Sequence, residues 1–297
     1  MRTNGEADGQ VTAFVLGGGG NLGAVQLGML RAALEHDLVP DVVVGCSVGA
    51  INGAALAGDP TVEGVERMAA MWLALDDDSL FPSGRLSQMR LLSRRSTGIA
   101  SSAGLRSVIE RGLAYRRFED SKVPLHVVAT SLATGREVWF SRGPLIEPVL
   151  ASAALPAVLP PVNIGGEWLI DGGVVDNVPV WRAIDLGATR VVVFHVGNFD
   201  KPRPMPRRPL DVLLQSFSIA RNHRFVRDLD IVPPHVELTV LPGVDPGSLR
   251  YNDFHRSAEL IERGYESSSA ALDELAITAA SRADASTADL GAASRRG

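Results

Sequence analysis

A glycine-framed serine, Gly45-Cys46-Ser47-Val48-Gly49, lies between a short β-rich run, Asp41–Val44, and a helix of small residues, Ala50–Ala57. A serine hydroxyl can act as a nucleophile when it is raised on a sharp strand-to-helix turn. Neighbours two residues away must then be small, so that strand and helix can close around it. The helix start also aims free N–H groups and the positive end of its dipole at the same spot, which suits an oxyanion. The plainer alternative is a serine that only caps the helix.

A second cluster, Gly17-Gly18-Gly19-Gly20-Asn21-Leu22-Gly23, again joins a strand, Val11–Leu16, to a helix, Leu22–Glu35. Gly18, Gly20 and Gly23 give G-x-G-x-x-G, a spacing that dinucleotide sites share. Such a site asks for an acid at the C-terminal end of the second strand. Here Asp41 opens that strand and its far end carries Gly45-Cys46-Ser47. A glycine loop can instead turn N–H groups toward a carbonyl oxygen that becomes negative during acyl transfer, each worth about 3–4 kcal/mol. An oxyanion hole is the better assignment. The third element, Asp171-Gly172-Gly173, follows a short strand, Trp168–Ile170, with Asn177 and Pro179 beyond. Alone, an Asp followed by two glycines is commonly a turn.

In this order the three elements resemble the patatin-like phospholipase family. Ala151–Val162 (ASAALPAVLPPV) is similar to the segment that the family carries before its aspartate, and Ala129–Gly143 to its strand pair with a Thr-Gly turn. The likeness covers about residues 11–200 and extends more loosely to 275. It implies a Ser–Asp dyad, with Ser47 as nucleophile and Asp171 as the base that takes its proton. Gly18, Gly19 and Gly20 would supply the oxyanion hole, with Gly23, Gly45, Gly49, Gly172 and Gly173 as motif support. The implied activity is that of a serine lipid acyl hydrolase, of phospholipase A, lysophospholipase or esterase type. It acts on a lipid or ester substrate without cofactor or metal. A carboxylate is a weak base in water, but in a dry cleft its charge is less favoured and its basicity rises. The family usually carries Arg or Lys just before the last glycine of the loop, where this chain has Leu22.

Two other readings compete. An α/β-hydrolase triad runs Ser, acid, His in chain order, and His195, His223, His235 and His255 all follow Asp171, with His195 the best placed. A catalytically weak lipid-binding or regulatory protein on the same scaffold would fit Leu22 and a basic surface. Cys46 is read as structural, its side chain turned away from that of Ser47. Asp176 has no second acid or His at ligand spacing, so no metal is expected.

The elements that must position these residues alternate strand and helix, as in one three-layer α/β/α sandwich with a mainly parallel central sheet. Val62–Leu75 and Pro144–Ala154 read as helices, Leu125–Thr130 and Glu137–Ser141 as strands, and Arg190–Val196 as a buried parallel strand. A Pro/Arg loop, Pro202–Pro209, precedes helices over Leu210–Asp228 and His255–Leu275. The expected organisation is a flexible leader over 1–10, one acyl hydrolase domain over 11–275 and a disordered tail over 276–297. Residues 80–120 are Arg-rich: over 85–117, eight arginines face the single acid Glu110. This reads as a solvated helical insertion, or as a lid or surface for peripheral contact with anionic lipid.

Composition sets outer bounds. The 297 residues are 45% apolar with a formal charge of −5, which argues against nucleic acid as partner. One cysteine cannot form an internal disulfide. There is no secretory signal pattern and no apolar run of about 18 residues, so the expectation is a cytoplasmic protein, with lipid contact only at the periphery.

Overall fold

A computed structural model describes residues 9–75, 101–197, 205–206, 208–245 and 254–293. Five short strands carry the sheet's parallel part: β1 (Thr12–Leu16), β2 (Val42–Cys46), β3 (Leu125–Ser131), β7 (Arg190–Phe194) and β8 (Glu237–Val240). Both faces of β1 and β2 are buried throughout, so their apolar runs are continuous rather than alternating. Their side chains still divide by parity. Phe14, Leu16, Val43, Val192 and Phe194 enter one core, and Ala13, Val15, Val42, Val44, Val191 and Val193 the other.

The first core is closed by α1 (Gly23–Glu35), α2 (Val48–Gly58), α3 (Val62–Leu73), α4 (Ala103–Gly112), α5 (Ile146–Ser152) and α8 (Ser257–Ala293). The second is closed by α6 (Val180–Asp185) and α7 (Pro209–Asp230), which contributes Phe225. This is the expected three-layer α/β/α sandwich. Among the described residues no helix is long and apolar enough to cross a membrane.

The strands β5 (Val162–Ile164) and β6 (Glu167–Asp171) are antiparallel additions. Hydrogen bonding runs β5-β6-β3-β2-β1-β7-β8, with β4 (Glu137–Phe140) also on β3. The register on β3 decides which strand ends meet. β4 pairs with Val127–Thr130, β2 with Leu125–Val128 and β6 with Ala129–Ser131. Since β4 fills one edge, β2 and β6 must share the other, meeting end to end opposite the Val128–Ala129 peptide.

Several elements differ from those expected of the sequence. β5, β8 and α6 are too short to declare a period, and β8 is an edge strand with two exposed residues. α8 continues past Leu275 to Ala293 through alanine-rich sequence of high helix propensity. Residues 1–8 of the expected leader, and Arg85, Arg90, Arg94 and Arg95 of the basic stretch, lie outside the described residues. The described part of that stretch contains α4, and its arginines stay at the surface with local partners. Arg106 pairs with Glu147 at 2.6 Å, Arg117 approaches Glu119 at 3.5 Å, and Arg111 and Arg116 donate to main-chain carbonyls.

Candidate active site

β2 ends at Cys46 and α2 begins at Val48, leaving Ser47 as the single residue of the turn. Its backbone takes φ 55° and ψ −124°, a region that non-glycine residues rarely enter. The two flanking glycines follow from contact. A Cβ on Gly45 would lie 2.5 Å from Gly49 O, and one on Gly49 would lie 2.1 Å from Leu16 O. Strand, turn and helix could not close with any larger residue at either place.

Ser47 Oγ donates to Asp171 Oδ2 at 2.6 Å, and both residues are buried. Asp171 is the last residue of β6, so the end-to-end meeting of β2 and β6 brings the pair together across 124 positions of sequence. The other carboxylate oxygen accepts the Gly173 N–H at 2.7 Å. The Asp171 main chain is tied as well, its N–H to Ala154 O at 3.0 Å and its carbonyl to Thr130 Oγ1 at 2.9 Å. Burial raises the Asp171 carboxyl above its usual range, opposed by the Ser47 and Gly173 hydrogen bonds and by the Arg221 charge. The result is a carboxylate more basic than one in water, in direct contact with a hydroxyl.

That contact leaves no room for an imidazole between serine and acid. The His195 ring instead packs on Phe225, with centroids 5.1 Å apart, and His223, His235 and His255 are exposed. Burial pushes the Cys46 thiol well up, which keeps it protonated and unreactive. Asp41 accepts the Thr12 N–H at 2.8 Å, a structural role at the opening of β2. Asp176 is pushed up to about 7 by burial, with Arg224 4.0 Å away. No group of acids, histidines or cysteines suited to a metal occurs among the described residues.

The glycine loop lies directly over Ser47, since a Cβ on Gly18 would sit 2.9 Å from Ser47 Cβ. A single 3₁₀ turn, Gly20–Leu22, then leads into α1, with Gly20 at φ 62°. The Gly18 N–H departs from its expected role, because it already donates to Asn177 O at 3.0 Å. Among the described residues, the N–H groups of Gly19 and Gly20 have no such acceptor. Leu22 packs against the core beside them, where the basic residue would have stood.

A chain of buried amides, not anticipated from the sequence, fastens both ends of this loop. Gln26 Nε2 donates to Gly17 O at 2.7 Å and Phe194 O at 3.1 Å, while Asn52 Nδ2 donates to Gly23 O at 3.0 Å and Gln26 Oε1 at 2.9 Å. Trp72 Nε1 closes the chain on Asn52 Oδ1 at 3.1 Å. Ser152, the last residue of α5, is likewise given no role by the sequence reading. Its hydroxyl accepts the Ser47 N–H at 2.9 Å and so steadies the turn itself.

The family model for patatin-like phospholipases matches residues 14–184, which include Ser47, Asp171 and the glycine loop. Patatin-like phospholipase domain-containing protein 7 of Rattus norvegicus is 31% identical over 195 residues, covering 65% of this chain and 14% of that protein. Lysophospholipase nte1 of Aspergillus terreus is 29% identical over 201 residues, covering 66% of this chain and 12% of that protein. The chain thus spans about one-seventh of the length of these curated relatives. Among solved structures, VipD from Legionella pneumophila superposes with a TM-score of 0.51 at 17% identity, over 90% of this chain and 67% of that one, and so shares its fold. With more than half its length inside the family model, the chain belongs to the patatin-like phospholipase family.

Proposed function

We propose that this protein is a serine lipid acyl hydrolase working through Ser47 and Asp171. The observation that carries the reading is the 2.6 Å hydrogen bond from Ser47 Oγ to a buried carboxylate at a strained turn. Ser47 Oγ attacks the ester carbonyl carbon while its proton passes to Asp171. The carbonyl oxygen turns negative facing the N–H groups of Gly19 and Gly20, the two loop donors not already engaged. Asp171 returns the proton to the leaving alcohol oxygen as the C–O bond breaks, which leaves an acyl-serine. Water, deprotonated by the same carboxylate, then releases the acid and restores Ser47.

The substrate class, a carboxylic ester of a lipid, rests on the family and on the relative named as a lysophospholipase. Contact with a membrane surface through the basic stretch remains part of this proposal. Arg111, Arg116 and Arg117 are exposed and support it, while Arg106 is engaged with Glu147.

A fluorophosphonate reagent tests the nucleophile, and p-nitrophenyl esters of increasing chain length, beside phospholipid vesicles, test the substrate. The wild type should be labelled and should turn over esters. Ser47→Ala and Asp171→Asn should lose both properties while staying folded. A wild-type chain that hydrolyses no ester and resists the reagent would refute the proposal.

A further inference from the structure

Asn177 stands six residues beyond Asp171, past the Gly172–Val174 turn, and it is 4% exposed. It holds both polar atoms of Gly18. Its carbonyl accepts the Gly18 N–H at 3.0 Å, and its side-chain Nδ2 donates to Gly18 O at 3.3 Å. The second bond fixes which end of the amide is nitrogen, since a flipped side chain would set two carbonyl oxygens against each other. The remaining atom, Oδ1, is buried without a hydrogen-bond donor among the described residues. It lies where a Cβ on Gly18 would be 2.5 Å away and one on Gly173 would be 2.6 Å away. One side chain is therefore wedged between the glycine loop and the turn that carries the base.

In a trans peptide the C=O of one residue and the N–H of the next point in opposite directions. Fixing Gly18 O therefore fixes the Gly19 N–H, and turns it away from Asn177. Gly19 is one of the two loop donors left to meet an oxyanion. The bond to Gly18 O also polarises that peptide and strengthens the Gly19 N–H as a donor. Gln26 does the same for the preceding peptide. It holds Gly17 O at 2.7 Å, and the Gly18 N–H turns to Asn177 O instead of to the substrate.

We infer that Asn177 is a positioning residue for the proposed acyl transfer: its side-chain amide sets the Gly18–Gly19 peptide so that the Gly19 N–H serves as oxyanion donor. This rests on the hydrolase reading and deepens it. Asn177 itself touches no reacting atom.

The test compares the wild type with Asn177→Ala and the near-isosteric Asn177→Asp, in which a carboxylate oxygen replaces the donor to Gly18 O. Turnover of a p-nitrophenyl ester is measured alongside inhibition by an alkyl trifluoromethyl ketone, whose adduct with Ser47 places an oxyanion in the same hole. Losing the aligned donor should lower kcat about 10²-fold with KM within threefold. The ketone's inhibition constant should rise by the same factor as kcat/KM falls. A purely structural role would reduce the amount of active enzyme and leave that constant unchanged. The inference is overturned if either folded variant keeps kcat and the inhibition constant within threefold of wild type. It is overturned equally if losses in both variants follow only the folded fraction. A wild-type chain without turnover would instead remove the hydrolase reading, and this inference with it.

Discussion

Ser47 sits at φ 55° and ψ −124°, and this strain can be measured by comparing two inactive variants. Ser47→Ala keeps a Cβ in the strained conformation, whereas Ser47→Gly removes it. Both lose the hydrogen bond to Asp171, so that loss cancels in the comparison. A residue held in such a region costs about 1–3 kcal/mol. Glycine's greater freedom in the unfolded chain offsets roughly 0.5–1 kcal/mol of the relief. Ser47→Gly should therefore be more stable than Ser47→Ala by about 1 kcal/mol, the middle of a range of about 0–2.5 kcal/mol. For a chain of this size, about 2–4 °C per kcal/mol makes the central Tm difference about 2–4 °C. Differential scanning calorimetry at one pH and ionic strength reads it, with absence of fluorophosphonate labelling as the check that both variants are inactive. An alanine variant more stable than the glycine variant would refute the claim that the fold holds Ser47 under strain.

Other outcomes come from the same geometry. Asp171 must be ionised to accept the Ser47 proton and burial raises its carboxyl, so kcat should fall with decreasing pH around a midpoint above 4; a midpoint below that would contradict the buried-base geometry. Asp176 is pushed up to about 7, so the folded state holds its proton longer than the unfolded chain and stability falls as pH rises from about 4 to 7. Asp176→Asn should thus be more stable than wild type by up to about 4 kcal/mol at pH 8, with no gain at pH 4, and thermal melts at the two pH values check it. Gly19→Ala would place its Cβ 2.1 Å from Val196 Cγ2, so ester turnover should fall about 10-fold or more and be partly recovered by adding Val196→Ala. His195→Ala should keep fluorophosphonate labelling; loss of labelling in a folded variant would bring back the Ser-His-Asp reading.

How much of the fold and site is legible in the sequence depends on whether a residue's role is local. Gly45 and Gly49 can be read because their smallness is required by a turn of five consecutive residues. The same holds for the apolar runs of β1, β2 and β7, since burial on both faces leaves a direct mark on composition. Asp171 cannot be read from its neighbours. Asp-Gly-Gly is an ordinary turn, and only the family resemblance singles it out. Gly18 shows how a local reading fails: a glycine in the right loop reads as a donor, but its N–H is spent on Asn177, 159 residues away. Gln26 and Asn52 do leave a signal. Each is a lone amide in a helix otherwise made largely of apolar or small residues, at 0% and 1% exposure. A buried amide needs partners, so its presence there marks something worth holding in place.

The pairing of Ser47 with Asp171 comes down to the middle of β3. β2 ends opposite Val128 and β6 ends opposite Ala129 on the same edge, so the two strand ends that carry the proposed nucleophile and base share one peptide as their reference. The turn after Asp171 packs on that peptide as well, since a Cβ on Gly172 would lie 2.4 Å from Val128 O. Thr130, two residues on, holds the Asp171 carbonyl. β6 arrives antiparallel and head-on to β2, so Asp171 comes to the end of β2 rather than alongside it. With 2.6 Å between Oγ and Oδ2, the proposed two-residue unit needs no third residue to relay the proton. The same closeness explains the burial, because water admitted between the two would both separate them and return the carboxylate to its ordinary, weaker basicity.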